Sequence, residues 1–392
     1  MPADRITKLS IEGMRCIESI ELDLKDFTVL IGENGTGKST IIEALEILRK
    51  AATENPLINK IFDRHDGTHL VRHGSSQLSL AATIEGEGPS LTYKIRILRD
   101  KTYLSIGNEE VVENRSKTIM KRAGVDYTFV APDGSTSEKS DTTAPDETVI
   151  ASARFLKVPQ LVRVQQALAS IEVYSALDLR HTWTNPQASP TARSSNLVRP
   201  ANRLEPSGTN LVNIYTTLRG QRNWRETLGR LEVSLGGVED VVPVNEATGG
   251  TQTISLRWRN GPDILLSGLS DGQISILALI AIQQLQRRTP PSIIAIDEPE
   301  VHLHPGLIAR VAIGLDEMSE EIPVLVGTQS DVFLNALEDP ENIVVLCRLD
   351  EQRRMMLQRP DHEQLETWLA EFKGLGAIRS EGLTSVVFPA SV

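Results

Sequence analysis

Residues 32–40 read GENGTGKST and fit the pattern G-x-x-x-x-G-K-[ST]. The apolar run FTVLIG precedes them, ends at Gly32 and predicts a buried strand. The stretch TIIEALEILRKAA follows, with Ile41, Leu45 and Leu48 at helical spacing. Glycines allow successive backbone N–H groups to point at an anion, and the helix adds its positive N-terminal end. The order of strand, loop and helix therefore predicts a phosphate-binding loop of the Walker A type.

Each residue type in this loop has a predicted part in binding a nucleotide. Lys38 is expected to bridge the outer phosphates of ATP and to act in catalysis, and Ser39 is expected to hold Mg²⁺ through its hydroxyl. The predicted nucleotide-binding residues of the loop are Asn34, Gly35, Thr36, Gly37, Lys38, Ser39 and Thr40.

A second motif ends an apolar strand in two adjacent carboxylates. The stretch IIAIDEPE begins at Ile293 and has the form of a Walker B element. Asp297 is expected to bind the Mg²⁺ and Glu298 to orient the attacking water, because phosphoryl transfer depends on positioning and charge stabilisation. Most of the chain separates Lys38 from Asp297, so a large insertion must lie between the two halves of the sheet.

A third motif, LLSGLSDGQ, ends at Gln273, directly before an apolar helix and upstream of the acidic strand. Ser270, Gly272 and Gln273 at a helix N-terminus would form a second anion site, which the phosphate-binding loop of the same chain does not need. The motif resembles the ABC-type signature, and this resemblance implies that the site contacts the nucleotide of another subunit. The alternative is a simple helix cap made by Ser270 or Asp271.

Composition restricts the class of protein. The chain has 392 residues and a formal net charge of −11, so its surface as a whole is unsuited to nucleic acid. The two cysteines, Cys16 and Cys347, are interpreted as small buried strand residues in a reducing compartment. No signal-peptide pattern opens the sequence and no stretch is apolar enough to span a membrane, which predicts a cytoplasmic protein without a membrane partner.

The pattern along the chain predicts an α/β fold in several parts. Residues 1–75 would form the N-terminal part of an ATPase head, with two short strands closing on a third before the helix, and 76–130 an antiparallel β lobe. Residues 131–230 would be an inserted helical and irregular region, with a mobile loop at 131–147 and an irregular segment at 181–208. In 231–392, apolar strands alternate with helices, which predicts a mixed, mainly parallel sheet.

Together, GENGTGKST, LSDGQ, IDEPEVHLHP and GTQSD resemble the RecF/OLD/SMC-like branch of the ABC ATPases, in particular stand-alone bacterial AAA-type proteins. The resemblance implies an ABC-type P-loop NTPase that hydrolyses ATP with Mg²⁺ and pairs head to tail with a second copy. Where the family carries a switch histidine this chain has Gln329, which can donate a hydrogen bond but cannot become cationic. Slow or partner-dependent hydrolysis is therefore expected, with Gln329 in the catalytic set.

Other residues carry weaker expectations from the same resemblance. His302 and His304 would shape an interface loop, and Arg15 would approach the adenine or remain a solvated strand-edge residue. The family's Q-loop glutamine has no clear counterpart. Its candidates by rough position are Gln160, Gln165 and Gln166.

Seven arginines between Pro190 and Arg230 face only two acidic residues in the sequence. They are a candidate DNA surface, with solvated, ion-paired arginines as the alternative. The seven are Arg193, Arg199, Arg203, Arg219, Arg222, Arg225 and Arg230.

Three functions remain open at this point. The first is an ATP-dependent dimeric switch that regulates a separate effector, such as a nuclease, in bacterial anti-phage defence. The second is a RecF-like DNA repair or recombination ATPase. The third is an ATP-bound scaffold with little hydrolysis.

Overall fold

A computed structural model describes residues 4–62, 67–101, 103–131, 133–140, 143–175, 177–181, 190–246, 250–287 and 289–388. The strands in chain order are β1 (Arg5–Met14), β2 (Ile17–Asp23), β3 (Phe27–Ile31), β4 (Gln77–Glu85), β5 (Leu91–Asp100), β6 (Tyr103–Glu113), β7 (Lys117–Ala123), β8 (Asp126–Val130), β9 (Thr136–Lys139), β10 (Glu172–Tyr174), β11 (Asn196–Leu197), β12 (Val238–Asn245), β13 (Thr251–Trp258), β14 (Ile264–Leu265), β15 (Ile294–Asp297), β16 (Val324–Thr328), β17 (Val344–Leu349) and β18 (Met355–Gln358).

The α-helices are α1 (Lys38–Thr53), α2 (Leu57–Phe62), α3 (Ala153–Leu156), α4 (Pro159–Ala169), α5 (Leu211–Arg219), α6 (Trp224–Leu235), α7 (Asp271–Gln284), α8 (Pro305–Ser319), α9 (Asp331–Leu334), α10 (Pro340–Ile343), α11 (His362–Glu371), α12 (Leu375–Ser380) and α13 (Thr384–Val387). Three single 3-10 turns lie at Gly67–Leu70, Ile150–Ser152 and Leu266–Gly268.

A six-stranded sheet lies at the centre of the fold, in the order β10-β15-β16-β3-β17-β18. The first five strands are parallel, and β18 is antiparallel to β17. Every residue of β3 and β16 is buried, as expected for strands covered on both faces. The mixed, mainly parallel sheet predicted from the sequence is therefore present, and the carboxyl ends of β3, β15 and β16 lie side by side.

Two apolar cores cover the two faces of this sheet. Leu30 belongs to the core that contains the buried face of α1 and the strands of the β lobe. Its neighbours Val29 and Ile31 belong to the other core, with α5, α7 and α8. Successive side chains of β3 enter different cores because neighbouring residues of a strand point to opposite faces of the sheet. The loop after β3 therefore lies at the edge of both cores.

An eight-stranded antiparallel sheet forms the β lobe, in the order β2-β1-β4-β5-β6-β7-β8-β9. The expectation that the first two strands close on β3 was wrong, because β1 pairs with β2 and β4 instead. The expected mobile loop at 131–147 was wrong in part, since β9 lies within it and pairs with β8. This lobe therefore takes strands from both sides of residue 76, and the domain bounds given above stay a prediction.

A smaller sheet of β11, β13, β12 and β14 lies beside helices α5 and α6 in the inserted region. The stretch DILLSG, which has a strand-like pattern, forms only the two residues of β14 before a 3-10 turn. Of the irregular segment 181–208, residues 182–189 lie outside the described part of the chain.

A buried ion pair connects the β lobe to the segment that leads into α3. The side chains of Glu109 on β6 and Arg122 on β7 are both fully buried, with Nη1 of Arg122 3.1 Å from Oε2 of Glu109. Tyr93 donates to the same carboxylate at 2.9 Å, and the backbone N–H of Val149 donates to it at 2.7 Å. Nη2 of Arg122 donates to the carbonyl of Ala144 at 2.9 Å. Burial and the neighbouring Glu109 charge raise the pKa of Tyr93 well above its usual value.

Helices long and apolar enough to cross a membrane are not found among the described residues. The predicted cellular compartment stays a prediction from the sequence.

Candidate active site

The loop between β3 and α1 wraps around the ammonium group of Lys38. Nζ of Lys38 donates to the carbonyls of Gly32 at 2.8 Å and Glu33 at 3.1 Å. Thr36 closes the same turn, because its hydroxyl donates to the Glu33 carbonyl at 2.9 Å. The Lys38 side chain is buried, and this burial lowers its pKa. A phosphate entering the loop would therefore replace two contacts of the Lys38 ammonium with neutral carbonyls by contacts with an anion.

Two glycines of the loop cannot carry a side chain. Gly37 has φ of 104°, and a Cβ on it would lie 2.7 Å from the sulfur of Met355 and 2.9 Å from that of Cys16. A Cβ on Gly32 would lie 2.3 Å from the carbonyl oxygen of Cys347. The backbone of the loop thus packs directly on β17 and on the β1–β2 turn.

The two cysteines flank this loop, which the sequence did not indicate. Cys347 is buried in β17, where burial raises its pKa to about 12, and Cys16 lies half-buried in the turn between β1 and β2. Both are free thiols. The interpretation as small buried strand residues is therefore confirmed for Cys347 and was wrong for Cys16, which lies half-buried in a turn.

The predicted metal ligands Ser39 and Asp297 lie beside each other at the carboxyl end of β15. Asp297 ends β15, and its Oδ1 is buried without a hydrogen-bond partner. A Cβ on Gly327 of β16 would come within 2.9 Å of that oxygen, so the glycine leaves room for it. Burial raises the pKa of Asp297, with the neighbouring Glu298 charge adding to the effect. An unpartnered carboxylate oxygen beside a serine hydroxyl is a donor set suited to Mg²⁺.

Glu298 follows Asp297 with a positive φ of 50°, a backbone conformation that non-glycine residues rarely adopt. Its backbone N–H donates to the Gly327 carbonyl at 2.7 Å, which fixes it against β16. The side-chain amide of Gln329 donates to the Glu298 carboxylate. Such strain at an acidic residue that faces a nucleotide loop is typical of functional positions.

Glu300 holds the strand end that carries Gln329. Its Oε1 accepts from the hydroxyl of Thr328 at 2.7 Å and from the backbone N–H of Gln329 at 2.9 Å. This role of Glu300 was not predicted, and only its position two residues after Glu298 could have indicated it. Lys38, Ser39, Asp297, Glu298 and Gln329 are thus brought to one edge of the sheet, as expected from their motifs, and their chemical roles stay predictions.

The third motif forms the N-terminus of α7. Ser270 is its N-cap, and a capping box joins Ser270 to Gln273: the Gln273 N–H donates to Oγ of Ser270 at 3.3 Å and the Ser270 N–H donates to Oε1 of Gln273 at 2.8 Å. The simple helix cap considered above is therefore formed within this chain. Ser270 remains exposed, so the cap does not bury its hydroxyl.

Gly272 lets the loop after β15 approach the start of α7. A Cβ on Gly272 would lie 2.7 Å from the carbonyl oxygen of His302. His302 itself has a positive φ of 67°, and His304 caps α8 by accepting from the Gly306 N–H at 3.2 Å. The two histidines thus shape the loop after the acidic strand, and its place in an interface stays a prediction.

Arg193 does not belong to a nucleic-acid surface, and that part of the expectation was wrong. Its side chain is 1% exposed and lies behind the third motif. The guanidinium donates to the carbonyl of Leu269 and to the carboxylate of Asp271, while its Nε donates to the Leu179 carbonyl at 2.8 Å. Arg193 therefore supports the N-terminus of α7 from within the inserted region.

Three of the other arginines are paired with acids. Arg219 pairs with Asp240 at 2.6 Å and stacks over Trp224 at 5.6 Å, Arg230 pairs with Glu317 at 2.7 Å, and Arg199 lies 3.3 Å from Glu205. Arg222 and Arg225 are exposed, and Arg203 is partly buried. The excess of positive charge counted between Pro190 and Arg230 in the sequence is therefore much smaller on the surface of the protein.

The three glutamine candidates all lie on α4. Gln160 donates to Glu113 at 3.1 Å, and Gln165 is buried and donates to the Ala151 carbonyl at 2.6 Å. Gln166 lies exposed on the same helix. None of the three lies on the loop after β10, the strand next to β15.

Arg15 pairs with Glu43 of α1 at 2.7 Å. It is thus a partner of the helix that follows the phosphate-binding loop, which neither reading of the sequence anticipated.

Two family models match the sequence of this chain. One is described as an AAA ATPase domain and matches residues 5–163, and the other is described as "AAA domain, putative AbiEii toxin, Type IV TA system" and matches residues 185–335. Together the two models match most of the chain, and both describe AAA-type domains. Both matches include motifs described above: the phosphate-binding loop in the first, and the third motif, the acidic strand and the Gln329 strand in the second. The resemblance and the α/β fold class expected from the sequence are confirmed.

Solved SMC head structures share the fold of this ATPase. An SMC head bound to the C-terminal winged-helix domain of ScpA has a TM-score of 0.55 at 16% identity, over 93% of this chain and 99% of the other. An SMC head with an extended coiled coil, bound to the C-terminal domain of ScpA derived from Pyrococcus furiosus, has a TM-score of 0.55 at 14% identity, over 94% and 99%. No curated protein matches the chain in sequence.

Proposed function

We propose that this ATPase binds ATP with Mg²⁺ at the edge formed by β3, β15 and β16 and hydrolyses it. The observation that carries the proposal is the unpartnered, buried Oδ1 of Asp297, on a carboxylate that lies beside the Ser39 hydroxyl. A buried carboxylate oxygen without a partner costs free energy unless a cation or a donor compensates it. The Ser39 hydroxyl and Asp297 would hold the Mg²⁺, which would neutralise charge on the transferred phosphoryl group.

The chain's own residues have distinct parts in this reaction. Lys38 leaves the carbonyls of Gly32 and Glu33 and binds the outer phosphates. Glu298 accepts a hydrogen bond from the attacking water and orients it, and the Gln329 amide fixes the carboxylate of Glu298. Because Gln329 is neutral, it offers a dipole and not a charge to the transferred group, which supports slow turnover.

We also propose that the N-terminus of α7 binds the nucleotide of a second copy of the chain. Ser270, Gly272 and Gln273 begin this 14-residue helix, whose positive end favours a phosphate. The exposed Ser270 hydroxyl accepts within its cap and still has a proton to donate to an oxygen of the partner's nucleotide. ATP would then join two copies head to tail.

The biological role that fits best is an ATP-dependent switch that controls a separate effector, such as a nuclease, in bacterial anti-phage defence. The second family description, with its toxin and type IV toxin–antitoxin system, is in keeping with a defence role. The burial of Arg193 and the pairing of Arg219 and Arg230 leave less support for a RecF-like DNA-repair function. A scaffold that binds ATP with little hydrolysis remains the alternative that Gln329 supports.

Light scattering tests the proposal on wild-type protein and Glu298→Gln, each with Mg-ATP, with Mg-ADP and without nucleotide. We expect the variant to bind ATP, to release phosphate about 10²-fold or more slowly, and to persist at twice the monomer mass of 43.1 kDa. The wild type should form the same species and lose it as ATP is consumed.

Three outcomes separate the alternatives. If neither protein binds ATP, the proposed site is wrong. If ATP binds and the mass never changes, the role of the α7 N-terminus is wrong. If Glu298→Gln turns over ATP as fast as the wild type, Glu298 does not orient the water, and the scaffold function gains support.

A further inference from the structure

A guanidinium group from the C-terminal helices lies against the strand end that carries Gln329. Nη2 of Arg379, on α12, donates to the backbone carbonyl of Gln329. Its Nε lies 2.8 Å from Oδ1 of Asp331, the first residue of α9. Two of its three nitrogens thus contact residues directly after β16.

The close packing of α12 on α9 depends on two glycines. A Cβ on Gly376 would lie 2.0 Å from the carbonyl oxygen of Asp331, so only glycine allows this approach. Gly374 has φ of 126°, and a Cβ there would lie 2.7 Å from the side-chain oxygen of Asn335. That same oxygen accepts from the N–H of Ala377 at 3.0 Å. Two glycines and one asparagine therefore hold Arg379 beside Gln329.

The third nitrogen of Arg379, Nη1, is buried and has no hydrogen-bond partner. A buried donor of a charged group is costly to leave unpaired. Gln329, whose carbonyl Arg379 contacts, also donates to Glu298 through its side-chain amide, so Arg379 lies beside the edge of the sheet that carries the nucleotide-site residues. A guanidinium group with an unpaired donor at this edge is suited to a highly charged anion.

We propose that Arg379 is a further nucleotide-site residue, whose Nη1 donates to the terminal phosphate of the nucleoside triphosphate bound by Lys38 in the same chain. The proposal rests on the nucleotide site proposed above. In this arrangement Arg379 places a cation from the C-terminal helices beside the strand that carries the neutral Gln329. The packing of α12 on α9 then depends on whether the terminal phosphate is present. A diphosphate would leave Nη1 without its partner.

Nucleotide titration tests this role with the β,γ-imido analogue of ATP and with ADP, both with Mg²⁺. The proteins are the wild type, Arg379→Ala, Arg379→Lys and the control Arg259→Ala, whose arginine pairs with Glu232 and Glu239 on the surface. We expect Arg379→Ala to bind the triphosphate analogue about tenfold more weakly and ADP within about twofold of wild type. Arg379→Lys keeps the charge but not the fork of donors, and should lie between.

The ratio of triphosphate to diphosphate affinity separates recognition from a structural effect. A loss that is equal for both nucleotides in Arg379→Ala would show that Arg379 only supports the fold, and unchanged affinities would show that Nη1 makes no contact; either result overturns the proposal. Failure of the wild type to bind either nucleotide would overturn the nucleotide site itself. Should Arg379→Ala not fold, the Arg379→Lys ratio decides, because a ratio equal to that of wild type contradicts a role for the fork.

Discussion

The side-chain amide of Gln329, at the end of β16, donates a hydrogen bond to the carboxylate of Glu298, at the end of the adjacent strand β15. The Glu300 carboxylate accepts a hydrogen bond from the backbone N–H of Gln329, and Arg379, on α12, donates to the Gln329 carbonyl. The acidic residue proposed to orient water is thus positioned by a neutral donor, which keeps its donor capacity at every pH.

Substitution of Gln329 tests this neutral contact. A histidine side chain ordinarily titrates at about pH 6.5. In Gln329→His the rate of hydrolysis should therefore depend on pH in this range, an effect that the neutral Gln329 of the wild type cannot produce. In Gln329→Leu the contact is lost, and kcat should fall about tenfold or more with little change in ATP affinity. Steady-state phosphate release across pH 5.5 to 8.5, with ATP binding measured in parallel, checks both variants. Equal kcat in Gln329→Leu and wild type would contradict a role for the amide.

Asp297→Asn tests the buried carboxylate. Burial raises the pKa of Asp297 in the folded state, so folding favours its protonated form, and this contribution to stability is lost as pH rises above the ordinary aspartate range. The variant should therefore unfold at a higher temperature than wild type at pH 7 without nucleotide, and the difference should shrink toward acidic pH. With Mg-ATP at a hundred times its Kd, wild type gains about 2.7 kcal/mol, whereas the variant should gain much less.

Asp316→Asn is the matched control for that experiment. Burial and several neighbouring carboxylates, Glu338 first, also raise the pKa of Asp316, but this residue lies on α8 away from the β15 strand end. Its substitution should raise the nucleotide-free unfolding temperature and leave the gain from Mg-ATP intact. A normal Mg-ATP gain in Asp297→Asn would contradict its role as a metal ligand.

Arg193 should matter for pairing of two copies rather than for DNA. Arg193→Ala leaves the Leu269 and Leu179 carbonyls and the Asp271 carboxylate without their donor, which should lower the free energy of unfolding by about 2 kcal/mol or more. It should also weaken the ATP-dependent dimer. The surface control Arg225→Ala should change neither quantity. Urea denaturation and light scattering measure the two effects, and a dimer of wild-type strength in Arg193→Ala would contradict the link to α7.

The buried pair of Glu109 and Arg122 gives a stability prediction. Arg122→Met leaves a fully buried carboxylate without its cation and should cost about 3–5 kcal/mol. The double variant Glu109→Gln/Arg122→Met should recover part of that loss, because no buried charge remains. Urea unfolding at pH 7 compares the wild type, the two single variants Arg122→Met and Glu109→Gln, and the double variant. If Glu109→Gln lowers the free energy of unfolding by the same amount in the Arg122→Met background as in the wild type, the two residues do not interact.

The sequence by itself determined the elements whose signal is local. The strand before GENGTGKST, the helix after it, the acidic end of β15 and the start of α7 follow from glycine positions, apolar runs and capping residues, all of which act over a few neighbours. The family and the mainly parallel sheet followed from the same motifs. The convergence of Lys38, Asp297 and Gln329 was also predictable, since carboxyl ends of parallel strands meet at one edge.

Only the tertiary structure decided the contacts that join distant parts of the chain. β1 pairs with β2 and β4, and neither β1 nor β2 pairs with β3, because strand pairing depends on which apolar face of each strand is buried and not on chain order alone. In the sequence Arg193 does not differ from the other six arginines of its region, and only the structure shows that it is buried behind α7. Arg379 belongs to no sequence motif, and only the structure places it beside Gln329. Long side chains with several donors fit many surroundings, so their charge is visible in a sequence and their partners are not.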